Sequence, residues 1–372
     1  MTGSVAVNAD SVKRVLAYAH DSGAFLAVVA TSGADQVTGG LEAAVAAANA
    51  AVDSDALRGA VIGRGSRGPL ILLARHPDRF GAHTAWLDVL CETLASSGMT
   101  GVVRPSMGRS PAGWHPIRPG RGYPTVWCAY PLVDDSFPPK LLRGWLAETS
   151  TTRAAGAELA AACSAAGGAA RVAVLGRSTP IAVDSLEAAL VHGAEVSSGL
   201  AGQVAGPGTL RACQLELGGT LIYRESAPDA PWEELLERAR TLLTALPEDQ
   251  ELAFVRSSGQ AAPHLANFYD PGSGQVPLLG MGHWQVSRHV WSEFTLDAHG
   301  INLLTAAHLD KADDLSQWRT RRTSSGRFLV EARDLAPWFD SWPVDQTLVE
   351  RARADFGAMI LTEPQFPPGA YA

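Results

Sequence analysis

Residues 60–73 read AVIGRGSRGPLILL, and the glycines at positions 63, 65 and 68 have the G-x-G-x-x-G spacing of a dinucleotide-binding loop. Such a loop binds pyrophosphate because a helix begins directly after it and directs its N–H groups at the ligand. Here the apolar residues 70–73 follow instead, in the short uninterrupted run typical of a strand. The stretch therefore predicts two strands joined by a glycine turn, with a phosphate loop as the lesser alternative.

The order of strands and helices around this hairpin occurs twice. Residues 24–49 (AFLAVVATSGADQVTGGLEAAVAAAN) and 171–195 (RVAVLGRSTPIAVDSLEAALVHGAE) each read as a strand, a polar turn and a helix containing LEAA. Each is followed by two strands joined by a glycine-containing turn. An amphipathic helix with a tryptophan comes next, and then a strand ending in Val-Arg. A single match is weak, but matches in the same order indicate an internal duplication.

The repeated order β-α-β-β-α-β is that of a ferredoxin-like α+β sandwich. Residues 301–305 then read as a strand, 306–318 as a helix, 318–332 as a hairpin and 344–356 as a terminal helix. We therefore predict an α+β protein with tandem duplicated ferredoxin-like units and a further C-terminal α+β unit. The predicted domains are 1–134 (first repeat and its Arg/Pro-rich loop), 135–170 (bridging helical segment), 171–297 (second repeat and its loop) and 298–372 (Trp-rich unit).

Composition narrows the classes of function. The chain has 372 residues, 46% apolar and 18% charged, with a net charge of −8. A mildly acidic chain argues against nucleic-acid binding, which depends on clustered cations. The four cysteines form no C-x-x-C pair, which predicts reduced thiols. The N-terminus lacks a signal-peptide pattern and no long apolar run occurs, so we expect a cytoplasmic protein without membrane insertion.

Each repeat ends in a long loop rich in glycine and proline. The first, residues 104–124, gathers arginines around a Trp-His pair that could hold an acidic peptide, a phosphate or a carboxylate. The alternative is a solvated loop whose arginines cap helix ends or pair with surplus acids. The second loop leaves the equivalent end of the other copy, so the two could form one surface. The residues predicted to form this contact surface are Arg109, Trp114, His115, Arg118, Arg121, His283 and Trp284.

Two histidines and two carboxylates near the C-terminus are residue types that bind zinc or a redox metal. They are Asp297 with His299, and His308 with Asp310. The short strand predicted between the two pairs spans about 16 Å, which places the pairs at its opposite ends. We therefore predict no metal or other cofactor, a turn shaped by Asp297 and His299, and a half-buried helical His308.

Motifs of common enzymes do not occur in the sequence. It contains no nucleophile elbow, HExxH zinc motif, Walker loop or kinase motif set, which favours a protein that is not an enzyme. The predicted strand at 318–322 places Arg319 and Arg321 on one face and Arg322 on the other. Without aromatic residues on the same face, this is too little for nucleic-acid binding.

Four stretches of the C-terminal part resemble a group of known sequences: DAHGINLLTAAHL, DLSQW, GRFLVEARDLAPWF and ARADFGAMI. They are similar to the C-terminal part of uncharacterised actinobacterial proteins associated with type VII (ESX) secretion gene neighbourhoods. The resemblance covers residues 228–362 and rests on general spacing. It implies a cytosolic accessory protein and supplies no active site.

These observations favour a non-enzymatic, secretion-linked binding protein: an adaptor, a chaperone or an immunity-like protein. Its partner would be another protein or an extended peptide. The alternative is an enzyme that acts on an anionic small molecule in a pocket between the two repeats. A third hypothesis is a structural subunit of an assembly, which would form a stable homo-oligomer.

Overall fold

The protein is described here by a computed structural model. The residues that the structure describes are 4–7, 24–32, 34–52, 57–75, 82–106, 108–109, 120–129, 157, 160–162, 164, 168–174, 177–194, 200–206, 208–216, 220–246, 252–258 and 292–361.

The described strands form two sheets, and the first has the order β1-β5-β2-β4-β3. Only β1 and β5 run parallel, and the other pairs are antiparallel. Helices α1 and α2 cover one face, where Leu41 and Trp86 pack with Leu26 and Ile71. The elements are β1 (Val5–Val7), β2 (Ala24–Ser32), α1 (Ala34–Ala51), β3 (Leu57–Gly65), β4 (Gly68–Arg75), α2 (Ala82–Ser96) and β5 (Thr100–Pro105).

The second sheet has eleven described strands, all paired antiparallel, in the order β15-β16-β14-β13-β7-β12-β11-β10-β8-β9-β6. The strands are β6 (Gly108–Arg109), β7 (Tyr123–Ala129), β8 (Ala169–Val174), β9 (Arg177–Ile181), β10 (Leu200–Gly206), β11 (Thr209–Glu216), β12 (Thr220–Ser226), β13 (Leu252–Ser258), β14 (Ile301–Leu304), β15 (Trp318–Arg322) and β16 (Phe328–Ala332).

Helix α3 (Leu186–Ala194) lies between the two sheets. Its residues Leu186 and Leu190 belong to one buried cluster with Phe25 and Leu72 of the first sheet and Val204 of the second. The other α-helices with described bounds are α4 (Trp232–Thr244), α5 (Ala306–Leu309), α6 (Ala336–Phe339) and α7 (Gln346–Phe356).

The glycine-rich stretch is the turn of a β-hairpin, so the prediction made from it is confirmed. Strand β3 ends at Gly65 and β4 begins at Gly68, with no helix after it. Gly68 has φ +138°, and a Cβ added there would lie 2.3 Å from the carbonyl oxygen of Val28. The glycine allows the turn to approach β2 closely and does not prepare a phosphate site.

The α+β class is confirmed, with two sheets and helices packed on them. Strand β7, predicted at the end of the first domain, lies in the second sheet between β13 and β12. Strand β8, which the duplication makes the first strand of the second copy, is separated from β12 by β10 and β11. Most of the predicted bridging segment lies outside the described residues, and the four-domain division stays a prediction.

The C-terminal part follows its sequence pattern with one exception. The hairpin and the terminal helix form as β15, β16 and α7. The predicted helix at 306–318 is wrong beyond Leu309, where α5 ends. The amides of Asp313 and Asp314 donate instead to the carbonyl of Asp355, at 3.0 and 2.9 Å. These bonds to α7 take the place of further helical turns.

Asn49 of α1 joins the edge strand β3 to the helical layer. Its side chain donates to the carbonyl of Gly59 and accepts from the Gly59 amide, and it also accepts from Trp86 Nε1 at 2.8 Å. The Asn49→Ala substitution should lower the free energy of unfolding by about 2–3 kcal/mol, because three partly buried polar groups lose their partner. Urea denaturation followed by tryptophan fluorescence measures this loss. The exposed Glu42→Ala change in the same helix is the control, and equal stability of the two variants would contradict the account.

Candidate functional site

Two residues of the predicted contact surface lie within the described chain. Arg109 is in the two-residue strand β6, where it is the cross-strand partner of Arg177. Arg121 lies two residues before β7. The others lie outside the described residues: Trp114, His115, Arg118, His283 and Trp284.

Arg121 is an anchor for the turn that leads into α4. Its guanidinium donates to the carbonyl of Pro228 at 2.6 Å and to the carbonyl of Ala230, and it lies 5.4 Å from the ring centre of Tyr123. A cavity of about 470 Å³ adjoins it, with Trp232 on its wall. These contacts fix the chain just before α4. They agree with the alternative in which the loop arginines have a structural role near helix ends. A role of Arg121 in binding a partner stays a prediction.

The carboxylate of Asp297 is buried and accepts hydrogen bonds from its neighbours. It accepts from Nε and Nη2 of Arg353 at 2.8 and 2.7 Å and from the Ala298 amide at 2.8 Å. Burial raises the pKa of Asp297, while the Arg353 guanidinium opposes that rise. This bidentate pair ties α7 to the segment before β14.

His299 lies beside that pair but faces an aromatic ring. Its imidazole stacks on Phe254 with 3.9 Å between ring centres, and its carbonyl accepts from Asn302 Nδ2 at 2.6 Å. Burial, together with the positive charges of Arg256 and Arg353, holds the pKa of His299 well below 6.5. The ring is therefore neutral at pH 7.

The prediction that His308 is half-buried is wrong: the residue is fully buried, because its side chain closes a capping box at the start of α5. Its Nδ1 accepts from the Thr305 amide at 3.1 Å, while Thr305 Oγ1 accepts from the His308 amide at 3.3 Å. Asp310 is exposed at the other end of this short helix. Asp297, His299 and His308 thus have separate structural contacts. In the described part of the chain, no three His, Cys, Asp or Glu side chains are grouped so as to hold a metal ion.

Strand β15 is an exposed, cationic edge of the second sheet. Its first residue, Trp318, is buried, whereas the next four residues are exposed and include Arg319, Arg321 and Arg322. It pairs with β16 on one side and is last in the order of described strands. The sequence showed these arginines, but only the structure shows that they lie on a strand with no further neighbour among the described strands.

A second cationic feature crosses the same sheet. Arg171, Gln203, Ala212, Arg224, Thr125 and Arg256 are successive cross-strand partners on β8, β10, β11, β12, β7 and β13. We call this line of residues the transverse row. No sequence signal indicates it, because its members come from six strands whose register is set by tertiary pairing.

The turn of the β3–β4 hairpin borders a cavity of about 560 Å³. Its lining includes Arg64 and Arg67 of the hairpin, Leu41 and Glu42 of α1, and Ser185 before α3. The cavity is within the size range of small-molecule sites.

No protein-family model matches the chain, and no curated protein is similar to it. Among solved structures, the chain is similar to the Pseudomonas aeruginosa T6SS protein PA0821, with 10% sequence identity and a TM-score of 0.34. The alignment covers 71% of this chain and 78% of that one. A TM-score this low does not establish a common fold. None of the helices in the described ranges is long and apolar enough to cross a membrane.

His308 makes the stability of the C-terminal part depend on pH. Burial lowers the pKa of His308 from 6.5 to about 4 in the folded chain. The unfolded chain therefore takes up the proton first, and stability present above pH 6.5 falls as the pH decreases towards 4. The His308→Gln substitution removes the titrating imidazole. Glutamine is a usual residue at this position of a capping box, so the box can still form.

Over this pH window the wild type should lose about 3 kcal/mol more unfolding free energy than His308→Gln. Urea unfolding at both ends of the window measures the difference. His192→Gln, at an exposed position of α3, is the control. Parallel pH profiles of wild type and His308→Gln would show that the proposed titration is wrong.

Proposed function

We propose that the protein is a non-enzymatic binding protein, acting as an adaptor, chaperone or immunity-like protein for an acidic polypeptide. The observation that carries the proposal is the exposed arginine edge of strand β15. The proposed setting is the cytoplasm, with a secretion-linked client. That setting rests on the resemblance of residues 228–362 alone.

We also propose that the fold contains two ferredoxin-like units. The first would comprise β2 to β5, whose order β5-β2-β4-β3 with α1 and α2 on one face is that of a split β-α-β unit. The second would be β13-β7-β12-β11, which has the equivalent order. In this arrangement the second unit starts at β7, and β8 to β10 are inserted before its second strand. Strands β14 to β16 extend that unit's sheet beyond β13.

The hydrogen-bond pattern of the hairpin leaves part of the backbone of β15 facing outwards. The Thr323 amide donates to the Arg327 carbonyl and the Arg333 amide to the Gln317 carbonyl, so these two cross-strand pairs are hydrogen-bonded. Because such pairs alternate along an antiparallel ladder, the backbone groups of Arg319 and Arg321 face β16. Those of Thr320 and Arg322 face outwards, where an extended peptide can add as a further strand.

The charge of this edge favours an acidic partner. Glu331, the cross-strand partner of Arg319, is bound by Arg240 of α4 at 2.5 Å. In the described chain the three β15 arginines form no ion pair. They therefore present positive charge on a protein whose net charge is −8. Charged edges also keep sheets from pairing with their own copies, and three like charges oppose pairing of one β15 with another.

A labelled peptide of alternating glutamate and valine tests the proposal by fluorescence anisotropy. Alternation places the glutamates on one face of the added strand, where they can meet Arg319 and Arg321. The double variant R319E/R321E should bind about tenfold more weakly or worse, because two attractive contacts become repulsive. R351E makes a similar charge change at an exposed position of α7 and should bind as the wild type does. Equal affinity of R319E/R321E and wild type would overturn the proposal.

Proline at position 320 separates strand addition from attraction by charge alone. Thr320→Pro removes an outward amide, which proline tolerates on an edge strand, and leaves the arginines in place. We expect binding about tenfold weaker than for Thr320→Val, which keeps the amide. If both variants bind equally, the peptide is not held as an added strand.

The cavity at the β3–β4 hairpin favours the second candidate function, an enzyme acting on an anionic small molecule. Arg64 and Arg67 supply positive charge, and the Arg64 amide is bound to Ser185 Oγ at 3.4 Å. Under this alternative, titration calorimetry with a panel of mono- and dicarboxylates should detect a ligand. The R64A/R67A variant should lose it, whereas R351E should retain it. A panel without binders would leave the adaptor proposal as the better account.

A further inference from the structure

The cavity beside the β3–β4 hairpin has an apolar floor that continues the core of the first sheet. Its lining includes Val28 and Leu41, which belong to that core, and Ala30 and Val61, which pack against it but remain partly exposed. The volume of about 560 Å³ is within the range of small-molecule sites, about 300–1,000 Å³. The aliphatic part of a ligand in this cavity would cover Ala30 and Val61.

Charged side chains of both signs line the same cavity. Arg64 and Arg67 come from the hairpin and Glu42 comes from α1, and all three residues are exposed. Within the described chain, the Glu42 carboxylate pairs with neither guanidinium, and no ion pair to another residue neutralises any of the three. Opposite charges that border one cavity without meeting leave a gap, which a molecule carrying both charges can bridge. A simple anion would leave Glu42 without a counter-charge.

Close backbone contacts hold the hairpin in place beside the cavity. Gly63 has φ +119°, and a Cβ added there would lie 2.6 Å from Ser185 Cβ. The Arg64 amide donates to Ser185 Oγ at 3.4 Å, and the Arg64 carbonyl accepts from the Ala182 amide at 2.8 Å. Together with the close approach of Gly68 to β2, these contacts fix the backbone of the rim before a ligand binds. A preformed rim lowers the entropic cost of binding.

We propose that the hairpin cavity binds a small aliphatic zwitterion, an amino acid such as leucine or a dipeptide of aliphatic residues. Its carboxylate is bound by Arg64 and Arg67, because guanidinium groups form charge-assisted hydrogen bonds with carboxylates. Its ammonium group is bound by Glu42, and its aliphatic part lies on Ala30 and Val61. The proposal rests on the cavity of the second candidate function and names the ligand there, but it requires no reaction. It is independent of strand addition at β15.

Titration calorimetry at neutral pH with L-leucine and, separately, with L-leucyl-L-leucine tests the proposal and distinguishes the amino acid from the dipeptide. At least one of the two zwitterions should bind. Two analogues of leucine carry a single charge each: isocaproate lacks the ammonium group, and isopentylamine lacks the carboxylate. Each should bind about tenfold more weakly than the better zwitterion, because one charge-assisted contact is lost.

Glu42→Gln removes the negative charge from the cavity and keeps the size of the side chain. It should weaken binding of the zwitterion about tenfold but leave the affinity for isocaproate unchanged or higher. A merely structural role of Glu42 would not separate the two ligands in this way. Glu92→Gln, at an exposed position of α2 outside the cavity lining, is the matched control and should bind as the wild type does. The R64A/R67A variant should bind neither zwitterion.

Absence of binding by both zwitterions would overturn the proposal, as would equal zwitterion affinities of the wild type and Glu42→Gln. Isocaproate that binds as tightly as the better zwitterion would also overturn it, and the cavity would then be an anion site, as the second candidate function requires. Zwitterion binding that depends on Glu42, without any chemical change of the ligand, would support the proposal while the enzymatic alternative failed.

Discussion

The first sheet is apolar on both faces, and the arrangement of the other described elements depends on this constraint. Helices α1 and α2 cover one face. The other face, with Phe25 and Leu72, is removed from water by α3 and by the second sheet. The contact is close, since a Cβ added to Gly193 of α3 would lie 2.0 Å from Leu200 of β10. The two sheets therefore share one helix.

Because α3 packs on only one face of the second sheet, the two faces of that sheet differ in composition. The face towards α3 carries apolar residues such as Val204 and Val255. The opposite face carries the transverse row, and the far end of the sheet is the exposed strand β15. The cationic features are thus placed away from the shared helix, where they do not disturb the packing that joins the sheets. The β15 arginines are exposed, so substitutions there leave the common core in place.

Local patterns in the sequence were sufficient to predict the hairpins and the terminal helix. The glycines at 63–68 and the strand after them identified the first hairpin, because turn chemistry acts over a few residues. The transverse row could not be predicted, since Gln203 and Arg224 become neighbours of Ala212 only through strand pairing. The capping role of His308 was missed because glutamate or glutamine is the usual residue at that position. The helix expected after Leu309 failed because amides there bind the carbonyl of Asp355, far along the chain.

Residue-resolved amide exchange of β15, with and without an acidic extended peptide, tests the central claim most directly. The amides of Arg319 and Arg321 face β16 and should be protected in both states. The amides of Thr320 and Arg322 should exchange fast in the free protein and become protected when the peptide is present, since they would then donate to the added strand. Unchanged exchange at Thr320 and Arg322 in the saturated complex would contradict the account and leave attraction of charges as the only contact.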